Sequence, residues 1–204
     1  MSEELTILRL VAIKGRVSAD TVASSLGRDV DIVQAQIDDF VSRDLFKLTP
    51  MGFRITPTGR QRCAELIDAE QCGADQAVVR AIYEAFTEHN TGLKQIITDW
   101  QTRGPEQPND HSDDDYDRAV LDRLQALHRA VLPLLDRITG VAPRLSHYTH
   151  RLVNAADAVA AGDLGYVSKP IVDSYHTVWF ELHEDLIGLA GLTRADEAEA
   201  GRGT

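Results

Sequence analysis

From Leu5 to Lys14 the apolar residues recur at helical spacing, with Leu5, Leu8, Val11 and Ala12 on one line, and Gly15 ends the run. Val17 follows as a short strand. Ser18 is a good N-cap for a helix over Ala19–Leu26, because its hydroxyl can accept an orphan backbone N–H. That helix buries Val22, Ala23 and Leu26, and Gly27 supplies the turn. A third helix begins near Asp29 or Val30, with Val30, Val33, Ile37, Phe40 and Val41 inward and Asp31, Gln34, Ala35, Asp38 and Asp39 outward. Leu45–Leu48 and Phe53–Thr56 then alternate as two short strands around Pro50-Met51-Gly52, a turn with Pro and Gly in suitable places.

Beyond the hairpin the pattern is helical throughout. Thr58–Ala69 reads as one helix and Asp75–Thr102 as a long one, with Ile82, Phe86, Leu93, Ile97 and Trp100 on one face and Asn90 on the same line. Residues 104–115, GPEQPNDHSDDD, hold no apolar side chain and read as an exposed, mobile loop. Tyr116–Thr139 carries an apolar stripe interrupted by Pro133, which predicts a kink. Arg144–Ala161 and a last helix from Lys169 or Pro170 to Ala190 complete the set, and Thr193–Thr204 reads as a frayed polar tail. Four helices with apolar stripes and no strand predict an antiparallel bundle.

The segment Phe53-Arg54-Ile55-Thr56-Pro57-Thr58-Gly59-Arg60 resembles the second wing strand and exit of MarR- and PadR-type winged-helix regulators, where an aromatic-x-Leu/Ile-Thr-Pro-x-Gly run closes the wing and opens the next helix. The resemblance covers about residues 5–70. It implies a winged helix-turn-helix with a small β-wing, a DNA-reading role, and dimerisation through the long helix that follows. The segment DSYHTVWFELHEDL, residues 173–186, is similar to a stretch of actinobacterial winged-helix proteins known only as regulators, a likeness that implies no activity. The expected organisation is mainly α: a winged helix-turn-helix domain over 1–70, a helical bundle over 71–192 and a flexible tail over 193–204.

Charge modifies this picture. The net charge is −11, yet residues 1–66 hold nine Lys/Arg and nine Asp/Glu, so the imbalance lies wholly beyond them. A phosphate-binding surface needs local positive charge, and only the N-terminal third is balanced enough to supply it. The acidic remainder argues against a broad polyanion surface or an anionic membrane. MSEELTILRL lacks the basic and apolar regions of a signal peptide, and no apolar run reaches membrane-span length. Cys63 and Cys72, nine residues apart on one helix and so about 13 Å apart along it, are too distant for a disulfide. A reducing cytoplasm is the expected compartment.

Candidate chemistry falls into three sets. Arg28, Gln34 and Gln36 are the expected base readers, and Lys47, Arg54 and Arg60 the expected backbone holders. Against this stand Asp31, Asp38 and Asp39, which phosphates repel; the alternative is a winged helix that docks on protein instead. Asn90, Trp100, Arg151, Asn154, His176, Trp179 and His183 set polar groups on or beside apolar stripes. They either line a small-molecule effector pocket or fix helix register as buried polar residues. The histidines match no metal-ligand spacing, and no nucleophile, phosphate-loop or dinucleotide motif occurs, so neither a metal, a cofactor nor an enzymatic activity is expected.

Overall fold

The computed structural model describes residues 2–104 and 107–199. The protein is mainly helical with one small three-stranded antiparallel sheet. By contacts the chain divides into two compact units, Met1–Val79 with Glu181–Thr204, and Arg80–Phe180. The sequence places a division near residue 70; the first unit instead runs to Val79 and takes in the C-terminal segment as well. No helix among the described residues is long and apolar enough to cross a membrane.

In the first unit, α1 (Ser2–Lys14) leads to β1 (Arg16–Val17), α2 (Ala19–Leu26), α3 (Val30–Ser42), β2 (Phe46–Thr49), β3 (Gly52–Ile55) and α4 (Pro57–Gly73). Ser18 and Gly27 act as the sequence predicts: Ser18 Oγ accepts the Thr21 N–H at 3.2 Å and Gly27 turns left-handed at φ 62°. Asp29 proves to be the N-cap of α3, its Oδ1 accepting from Asp31 and Ile32 at 2.8 and 3.3 Å. The strands order as β1-β3-β2, with Val17 opposite Phe53 and Phe46 opposite Ile55. Phe46 stacks on Phe53 at 5.2 Å and receives the edge of Phe40 at 5.3 Å, which ties the sheet to α3.

The join from β3 to α4 gives the Thr-Pro-x-Gly run a physical reason. Thr56 Oγ1 accepts the Gly59 N–H at 3.0 Å and lies within hydrogen-bonding reach of the Asp44 and Leu45 carbonyls. Pro57 takes the first helical position, where no N–H is needed. Gly59 is required by close approach, since a Cβ there would stand 2.2 Å from the Leu45 carbonyl oxygen and 2.8 Å from Ile55 Cγ1. Gly59→Ala is expected to cost about 1–3 kcal/mol, read as a lower urea midpoint.

The rest of this unit comes from the chain's other end. It comprises the second half of α9 (Tyr175–Leu189), from Glu181 onward, and α10 (Arg194–Glu199). Asp185 accepts from Arg9 Nε at 3.0 Å, Glu181 pairs with Lys14 at 2.7 Å, and the Glu184 carbonyl accepts from the Arg9 guanidinium. Glu181 and Asp185 are almost wholly buried, at 3% and 1% exposure. These pairs explain why α1 buries Thr6, Ile7 and Leu10 as well as its predicted stripe: it is covered on more than one side. Where a frayed tail is expected, Thr193 and Asp196 form a capping box and start α10, with Glu197 buried. Residues 200–204 of that tail lie outside the described residues.

The second unit holds the remainder of α5 (Gln76–Gln101), α6 (Asp114–Val141), a 3-10 turn over Pro143–Leu145, α7 (Ser146–Ala160), α8 (Gly165–Ser168) and the start of α9. The last long helix begins at Tyr175, later than the pattern predicts. Ser174 Oγ accepts the Thr177 N–H at 3.3 Å and fixes its first turn, and Pro170 lies in the preceding turn. The polar loop before α6 is not wholly exposed: Asn109 is buried and donates to the Trp100 carbonyl and to Asp117 at 3.1 and 2.8 Å.

Candidate functional site

The alternation of a strand sends neighbouring residues to opposite faces. In the sheet, Val17, Phe46, Phe53 and Ile55 go inward, so Arg16, Lys47 and Arg54 must go outward, and all three are exposed. Register then sets them side by side, with Arg54 on the central strand opposite both Arg16 and Lys47. Arg60, on the first turn of α4, lines the same cleft of about 610 Å³. Among the described residues none of the four makes an ion pair, and Arg16 Nη1 contacts only the Met51 sulfur, at 3.6 Å. Residues 46–60 contain no Asp or Glu at all.

Like charges directly opposite one another across strands destabilise a sheet by a few tenths of a kcal/mol or more. A row of three, unrelieved by any carboxylate, is therefore an arrangement that stability alone does not explain. It suits an anion that bridges the cations, above all a run of phosphates. The sequence-predicted Lys47, Arg54 and Arg60 are thus brought together. Arg16 belongs with them and was not anticipated. The signal for it was present: a strand at Val17 paired with the hairpin puts Arg16 on the outer face.

Arg28, Gln34 and Gln36 are placed differently. Glu3 Oε1 accepts from Arg28 Nη1 at 2.5 Å and from Gln36 Nε2 at 2.8 Å. Gln34 Nε2 donates to Asp38 at 2.8 Å. Glu4 accepts from Arg43 and Arg62 in the same way. The residues expected to read bases are thus held by carboxylates of their own chain, and they do not join the hairpin cluster. The exposed face of α3 is instead acidic and partly apolar, with Ile32 59% exposed beside Asp31, Gln34, Ala35 and Asp38.

The hydrogen bond from Gln36, followed by the charge of Arg28, lowers the pKa of Glu3 below the ordinary glutamate range. A carboxylate depressed in the folded state stabilises at neutral pH, and its contribution is lost as pH falls through the folded value. Acidification is therefore expected to free Arg28 and Gln36. A Glu3→Gln variant should lose less thermal stability between neutral and acid pH than the wild type, compared in parallel melts.

The predicted ligand residues do not form one site. Asn90 Oδ1 accepts from Trp179 Nε1 at 2.9 Å, so these two satisfy each other, with Phe86 stacked on Trp179 at 4.7 Å. Arg151 grips Asp173 through both Nε and Nη2, at 2.7 and 2.9 Å, above the Tyr148 ring. Trp100 packs on the His111 ring at 4.4 Å. Asn154 and His176 are exposed. His183 belongs to the first unit and lies 4.0 Å from Glu197. His128 Nδ1 lies 3.3 Å from the Tyr175 hydroxyl. Burial lowers the imidazole's pKa and raises the phenol's, which favours the uncharged form of each.

No three His, Cys, Asp or Glu side chains among the described residues converge as a metal site requires. Comparison with protein-family models, curated proteins and solved structures gives no match.

Proposed function

We propose that residues 5–70 are a winged helix-turn-helix of the MarR/PadR type, and that the chain is a cytoplasmic, homodimeric transcriptional regulator that binds duplex DNA. The bundle-like second unit serves dimerisation and effector sensing in this reading. Support for the module comes from the element order, two short helices joined at Gly27 and then a hairpin that β1 completes to three strands. The observation that carries the DNA reading is the unpaired row Arg16–Arg54–Lys47 with Arg60, in a chain of net charge −11. The wing then leads and grips the phosphates. Helix α3, whose predicted readers are held by Glu3 and Asp38, contributes little direct base readout.

The test is fluorescence anisotropy on duplex fragments flanking the protein's own gene, across a salt series. The logarithm of affinity should fall against the logarithm of salt with a slope of about −4 per protomer, near one for each cation. Salt-independent binding, or none to any fragment, removes the proposal. A second reading, a protein-docking module that uses the winged helix without DNA, rests on the exposed acidic and apolar face of α3.

A further inference from the structure

The first turn of α1 presents two carboxylates to the helix-turn-helix. Glu3 Oε1 accepts from Arg28 Nη1 at 2.5 Å and from Gln36 Nε2 at 2.8 Å, and Glu4 pairs with Arg43 at 2.6 Å and with Arg62 at 3.2 Å. Arg28 and Gln36 are side chains of the kind that meet duplex DNA: a guanidinium suits a phosphate or guanine, and an amide suits adenine. The Glu3 oxygen between them stands where an oxygen of the duplex would.

Gln36 shows that this contact is a compromise. Its Nε2 donates to Glu3, while its Oε1 is buried and accepts from no group among the described residues. An ionised carboxylate only accepts, so it satisfies the donor half of an amide and leaves the other half unmet. A buried orphan acceptor costs free energy. An adenine edge, with an acceptor at N7 and a donor at N6, satisfies both halves at once. The lowered pKa of Glu3 marks a contact favourable enough to form in the free protein. The Glu3 side chain is nonetheless 54% exposed, and ion pairs at the surface are weak and screened by salt. A contact of that strength holds its donors and still yields to a better partner.

Resting on the DNA reading above, we propose that Glu3 is an autoinhibitory stand-in for DNA, occupying Arg28 and Gln36 until a duplex displaces it. The grip of Arg16, Lys47, Arg54 and Arg60 on phosphates comes first and is blind to sequence. Arg28 and Gln36 engage only where the bases replace what Glu3 supplied. Glu3 thereby sets the threshold at which α3 contributes to selectivity.

Fluorescence anisotropy of the full chain tests this, on the flanking fragment and on a scrambled duplex of the same composition. Glu3→Gln keeps the shape of an exposed side chain and removes its charge. The variant should bind the flanking fragment about tenfold more tightly than the wild type and steepen the salt slope by about one. Its preference over the scrambled duplex should widen, and Gln36→Ala in the same background should narrow it again. Removing any carboxylate favours a polyanion, so the deciding measurement is a double-mutant cycle with Arg28. Arg28→Ala should weaken wild-type binding by less than about threefold, yet remove most of the gain of Glu3→Gln. Asp31→Asn, which removes a charge that holds no cation among the described residues, should show no such coupling to Arg28. Additive effects of Glu3→Gln and Arg28→Ala would overturn the autoinhibitory role. So would a Glu3→Gln variant that binds no tighter than a wild type with the expected salt slope; the DNA reading would then stand alone. Absence of salt-dependent binding by both proteins would overturn the two together.

Discussion

Replacing Arg54 with glutamate is expected to stabilise the fold while weakening DNA binding. The substitution puts a carboxylate between Arg16 and Lys47, turning two like-charge cross-strand pairs into opposite-charge pairs. Such pairs contribute roughly 0.2–1 kcal/mol each, so the thermal midpoint should rise. On the proposed DNA reading the same change removes one phosphate contact and adds a repulsive charge, so affinity for a duplex at moderate salt should drop by about tenfold to a hundredfold. The salt slope should also become shallower, as fewer cations release counterions. Melting curves and anisotropy on one preparation read both effects. A loss of stability together with a loss of binding would point to damage instead, and unchanged binding would take Arg54 out of the interface.

The second large effect is expected far from the hairpin. Asp185 is 1% exposed, and its carboxylate receives Arg9. Removing one partner of a buried pair strands the other charge, at a cost of about 3–5 kcal/mol. Asp185→Ala should therefore destabilise the first unit by that order, seen as faster hydrogen exchange in α1. Arg194→Ala, which breaks a half-exposed pair with Glu184, should cost about 1 kcal/mol or less. Joint replacement of Arg9 by Met and Asp185 by Leu should recover most of the loss, because two apolar groups need no counter-charge. If Asp185→Ala exchanges like the wild type, the pair is not what fastens α1.

The local parts of this structure are legible in the sequence because their causes are local. Ser18, Gly27 and Thr56 act within three or four residues of themselves, and the hairpin is announced by alternation around Pro50–Gly52. What the sequence hides is pairing over distance. The carboxylates of Glu181 and Asp185 look like a solvated helix face until Lys14 and Arg9, more than 160 residues earlier, are set against them. Arg28 and Gln36 look available until Glu3 is folded onto them. His176 and His183 share a helical face by spacing. The chain passes from one compact unit to the other between them, and one is exposed and the other buried. Of the candidate site, the hairpin cations follow from strand alternation alone, which is why they were foreseeable and the fate of the α3 residues was not.

The discontinuity of the first unit has a consequence for biosynthesis. Helix α1 leaves the ribosome well before Glu181 and Asp185, its partners more than 160 residues further along the chain. At about 5–20 residues per second, roughly ten to thirty seconds pass before Arg9 and Lys14 can meet their partners. Over that interval the nascent chain carries a helix with apolar residues on several sides and nothing to cover one of them. The first unit should therefore mature only once residues 181–185 have emerged, and a chain truncated before Glu181 should be one that chaperones retain.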